Sequence, residues 1–152
     1  MTTDDRQLAS FSAGPTFLPA TTHVYLVRAA ESLDEALASS DPAVRFANAH
    51  VAALRAAAAW LAARTKPAAG KRRSRNAWVL LAASSDEMAD WATYFSAGAG
   101  KRAAAEAGSA SAVTAAEADT LLEAADRFLG VVEESLGVTS HAPVTGRIRN
   151  AG

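Results

Sequence analysis

The sequence predicts an all-α protein folded as an up-and-down bundle of four to five helices, and three observations carry that prediction. Apolar residues fill 50% of the 152 positions, and many of them are alanine, the residue with the highest helix propensity. They recur at spacings of three and four in long segments bounded by capping or breaking residues. No run alternates apolar and polar residues as a half-buried strand does, and no internal repeat is visible.

A chain of this length builds one core, and the pattern divides it into three parts. Residues 1–20 hold Gly14, Pro15 and Pro19 without a sustained period and are expected to be a flexible N-terminal segment; 21–137 is the bundle; 138–152 is a flexible polar tail. From Thr22, Val24, Leu26, Val27, Ala30, Leu33, Ala36 and Leu37 recur at helical spacing to about Ser39. Ser40-Asp41-Pro42 then restarts the helix, since an aspartate side chain accepts from first-turn N–H groups and proline suits the first helical position. The second helix runs to about Arg64, with an apolar stripe of Val44, Ala47, Val51, Leu54, Ala58 and Leu61, and Lys66-Pro67 ends it.

Pro67-Ala-Ala-Gly-Lys-Arg-Arg-Ser-Arg75 is a loop carrying a dense basic cluster. Helix returns near Asn76 as one bent helix or two short ones, with Ser85-Asp86 able to cap the second part. A short helix over Lys101 to Ala107 ends at Gly108. The last helix is the clearest. Thr114-Ala-Ala-Glu117 is a capping box; Leu121, Leu122, Ala125, Phe128, Leu129, Val132 and Leu136 share one face; Gly137 stops it.

The formal charge of −1 leaves no global basic field for nucleic acid or an anionic membrane, so any polyanion contact is local. The absence of cysteine removes disulfides, thiolate chemistry and cysteine-ligated zinc. Asp4, Asp5 and Arg6 stand where a signal peptide needs an apolar run, and Val51 to Ala63 is too short and too charged to span a bilayer. A cytoplasmic protein without membrane contact is the expectation.

Arg45-Phe-Ala-Asn-Ala-His50, just after Asp41-Pro42, is the segment with the most chemistry. Here the chain resembles the HEPN superfamily, whose members carry an arginine, four to six further residues and a histidine within a bundle of four or five helices. Val44 to Leu61, the basic loop, and the Ala-Trp-Val-Leu-Leu and Asp-Trp-Ala-Thr-Tyr-Phe segments are similar to the actinobacterial SAV-type branch of stand-alone HEPN proteins. The likeness covers about Thr22 to Gly137. It implies metal-independent RNA cleavage, often in a homodimer whose two motifs share a cleft. In that assignment His50 is general acid or base for a ribose 2′-OH, Arg45 the clamp on the phosphate and Asn48 their support. The family also implies a nucleotide, an antitoxin or another protein as partner, in a toxin–antitoxin or nucleotide-linked regulatory system.

A structural reading of the same residues stands beside this one. Phe46 occupies the position after the arginine, where many active family members carry a polar residue. Arg45 and His50 lie about 140° apart around a straight helix, so they meet only if the arginine reaches round or a second subunit supplies the other half. The alternative is a core-edge histidine with a satisfied hydrogen bond and an arginine paired with an acid such as Asp41. Lys66, Lys71, Arg72, Arg73 and Arg75 can neutralise phosphates, with Trp78 as a stacking surface, or simply solvate a connector. Trp60, Trp78, Trp91, Tyr94 and Phe95 read as core or dimer interface. His23 and His141 fall near the ends, and no histidine pair has metal-ligand spacing, so neither metal nor cofactor is expected. The two functions left are an RNA-binding protein or ribonuclease and a non-catalytic helical interaction module.

Overall fold

In the computed structural model, residues 18–64, 76–109 and 112–144 are described, and all regular structure among them is helical. The helices are α1 (Ala20–Ala38), α2 (Pro42–Arg64), α3 (Ala77–Ser84), α4 (Asp86–Ser96), α5 (Ala99–Glu106) and α6 (Ala115–Leu136). Counting α3 and α4 as one broken element gives the five-membered upper limit of the expected bundle. Residues 1–17, most of the expected N-terminal segment, lie outside the described residues.

Several boundaries have a local cause. Asp41 Oδ1 accepts from Ala43 N at 2.9 Å, and Pro42 opens α2 as the sequence indicates. Asn76 Oδ1 accepts from Trp78 N at 2.7 Å to start α3. Ser85 adopts an extended backbone, with φ −168° and ψ 160°, while its hydroxyl accepts from Met88 N. That residue therefore divides the middle segment into two helices. Both halves of the Thr114–Glu117 capping box are formed, and Gly137 closes α6 at φ 73°, a left-handed conformation that other residues adopt only with strain.

α2 is the centre of the fold. It packs most extensively on α1, then on α6, with α5 and α3 on its remaining sides. Its buried residues are Phe46, Ala49, His50, Ala52, Ala53, Ala56, Ala57, Ala59 and Trp60. The stripe expected for this helix is overturned: none of Val44, Ala47, Val51, Leu54, Ala58 and Leu61 is buried, and Val44 is exposed. A helix packed on several sides at once brings its neighbours closest where side chains are smallest, so alanines take the interior and the larger aliphatics its margins.

A similar displacement affects α1, where Val24 and Val27 are exposed and Thr22 and Ser32 are buried. Both hydroxyls have partners: Thr22 Oγ1 donates to Ala59 O, and Ser32 Oγ accepts from Arg55 Nη1 at 2.7 Å. On α6 all seven residues of the expected face are buried. The large side chains collect between α4, α3 and α6: Phe95 and Phe128 are fully buried with ring centroids 5.2 Å apart, and Trp78 stacks on Phe95 at 5.4 Å. Trp60 and Trp78 are core as expected, whereas Tyr94 is exposed.

Residues 138–144, expected as tail, turn back onto the bundle, and Val144 is only 1% exposed. Among the described residues no helix is long and apolar enough to cross a membrane.

Candidate functional site

Arg45 lies in the first turn of α2, beside the C-terminal end of α1. Its Nε donates to Ala36 O at 3.0 Å, and its Nη2 donates to Leu37 O at 3.0 Å and to Ser39 O at 2.9 Å. Nη1 reaches Asp119 Oδ1 on α6 at 2.6 Å. A helix end leaves its last carbonyls unpaired, and α1 has no basic residue in its own last turn. The guanidinium supplies that missing cation from the next helix. Its acid is Asp119 and not Asp41, whose carboxylate caps α2 instead.

His50 sits on another side of α2 and is 1% exposed. Its Nε2 is 3.0 Å from Phe95 O, and since a carbonyl only accepts, that nitrogen carries the proton. Nδ1 is left as a buried lone pair with no partner among the described residues. Trp78 meets the ring edge-on at 5.9 Å, and Gly98 closes over it, where even an added Cβ would stand 3.5 Å from His50 Cδ2. Burial holds the pKa of the imidazole below its ordinary value, partly offset by the Phe95 carbonyl. Asn48 is half-buried.

The motif residues thus turn to different partners: Arg45 to α1 and α6, His50 to α4 and α3. A groove of about 370 Å³ has a lining that includes Phe46, Tyr94, Gly98 and Leu121, with the Lys101–Glu117 ion pair at its edge. His50 lies behind Phe46 and Gly98, out of that groove. Lys66, Lys71, Arg72, Arg73 and Arg75 lie outside the described residues.

The sequence reasoning missed a second cluster. Asp126 and Glu133, both 4% exposed, occupy the buried face of α6, and His141 bridges them. Its Nε2 lies 2.6 Å from Asp126 Oδ1 and its Nδ1 2.7 Å from Glu133 Oε1. Hydrogen bonds first to Asp126 and then to Glu133 raise the His141 pKa to about 9. The available signal was a pair of acids seven residues apart beside the apolar face of α6, with a histidine shortly after the helix stop. No group of three or more His, Cys, Asp or Glu side chains among the described residues is arranged to hold a metal ion.

A family model described as SAV_6107-like HEPN matches residues 36–133, well over half of the chain. No curated protein and no solved structure matches it.

Proposed function

The chain belongs to the HEPN superfamily, and on that premise we propose that it works as a non-catalytic helical interaction module in which Arg45 and His50 serve the framework. One observation carries this reading. The histidine that would move a proton is sealed from solvent, with its protonated nitrogen held by the Phe95 carbonyl, and the arginine that would clamp a phosphate is bound to four protein acceptors. General acid–base catalysis needs the group within hydrogen-bond reach of the substrate proton. Phe46, filling the core beside the motif arginine, supports the same conclusion.

The partner under this reading is another protein or a second copy of the chain. The test incubates the purified protein with single-stranded RNA in EDTA, beside His50→Ala checked for an unchanged helical spectrum, and measures mass in solution. Absence of cleavage, with a defined oligomer or a stoichiometric protein complex, is expected. Cleavage by the native protein that His50→Ala abolishes overturns the reading. Salt-sensitive RNA binding that disappears when Lys71, Arg72, Arg73 and Arg75 are neutralised replaces the protein partner by RNA.

A further inference from the structure

Asp126 and Glu133 are the buried carboxylates among the described residues, seven positions and so about two turns apart on one helix. Two anions removed from water on the same face are unfavourable alone, because each has lost hydration and each repels the other. What offsets this comes from outside the helix. His141 sets one ring nitrogen against each carboxylate, at 2.6 and 2.7 Å. The backbone of the same segment adds two bonds, His141 N donating to Glu133 Oε2 at 3.0 Å and Val144 N donating to Asp126 Oδ1 at 3.2 Å. Ionised carboxylates only accept, so both ring nitrogens donate and the ring is an imidazolium.

The segment also has something to cover. A cavity of about 490 Å³ lies between α1 and the returning chain, with His23, Leu26 and Val27 on the α1 side and Val138, Thr139 and His141 on the other. We infer that Asp126, His141 and Glu133 form a charge-operated clasp holding residues 138–144 against α6, and with them one wall of this cavity.

The clasp works by removing a single proton to water. One ring nitrogen then presents a lone pair to a carboxylate, and the hydrogen bond on that side is lost. The segment detaches, Val144 leaves the core and the cavity loses that wall. The groups facing His141 are Asp126 and Glu133 from α6; from α1, His23 lines the same cavity. With the clasped pKa about 9 and the ordinary value 6.5, the hold is complete below 6.5, weakens between the two values and is lost above about 9.

The test is an NMR titration of the full chain from pH 6 to 10, following the His141 ring carbons and the Val144 methyls, with His141→Gln as a second sample. The His141 midpoint is expected near 9, with the Val144 methyls moving to unstructured positions in step; in His141→Gln they are already there at pH 7 while the helical signals persist. A midpoint near 6.5, Val144 unmoved while His141 loses its proton, or a buried Val144 in His141→Gln would each overturn the proposal.

Discussion

The Arg45 guanidinium stands 2.6 Å from the Asp119 carboxylate while the rest of the same fork reaches three carbonyls at the end of α1. The ion pair is the weaker part of this arrangement, because Asp119 is 43% exposed and solvent screens it. The carbonyls are the stronger part, since a charged donor serves three acceptors at once, of which Ala36 O also accepts from Ser39 N. Asp119→Asn is expected to cost less than about 1 kcal/mol, and Arg45→Ala about 2–3 kcal/mol. Arg45→Lys should recover little, as an ammonium cannot reproduce the planar fork. Urea denaturation of the three variants checks the order.

His50 predicts a loss of stability in acid. Its folded pKa is depressed by burial, so the unfolded chain takes up the proton first and stability falls as pH drops below the ordinary value of 6.5. Because His141 gains stability as pH falls towards 6.5, the His50 effect is read as a difference: between pH 7 and 5 the denaturation midpoint of the native protein should fall relative to that of His50→Leu, which has no proton to bind, even if that variant is less stable at pH 7.

Gly98 and Gly137 should respond oppositely to alanine. At Gly98 φ is −88° and a Cβ would meet His50 and Phe46 at ordinary contact distances of 3.5 Å, so Gly98→Ala is expected to stabilise by about 0.4–1 kcal/mol through the unfolded chain. At Gly137 φ is 73°, and Gly137→Ala is expected to cost about 1–2 kcal/mol. Thermal unfolding monitored at the helical band separates the two.

Ala53 is fully buried on α2, and Ala53→Leu is expected to cost about 1–3 kcal/mol or more by forcing neighbouring helices apart. Val51→Ala, at the half-buried margin, should cost less. A chemical denaturation series comparing them tests whether the alanines, and not the larger aliphatics, define the interior of this helix.

Local chemistry made most helix limits legible in the sequence. Pro42, the Lys66-Pro67 pair, the Thr114–Glu117 box and Gly137 mark ends by local chemistry, and α2 begins at Pro42 and ends at Arg64, close to where they indicate. The buried side of α2 was not legible, because an alanine-rich helix shows almost equal apolarity around its axis and only its neighbours choose the side. The partners of the motif residues were hidden for the same reason: Asp119 is 74 positions from Arg45, and Phe95 is 45 from His50. His141 was assigned to a tail by its composition, yet its ring stands against Asp126 and Glu133 of α6, at 2.6 and 2.7 Å.

The alanine surface of α2 has a mechanical corollary. Helices that meet through methyl groups approach closely but present few protrusions to stop one sliding lengthwise on the other. Between α1 and α2 that stop is supplied by polar notches at three levels: Thr22 on the Ala59 carbonyl, Arg55 on Ser32, and Arg45 on the last carbonyls of α1. In this domain the motif arginine is one of three polar contacts that fix the lengthwise register of α1 and α2.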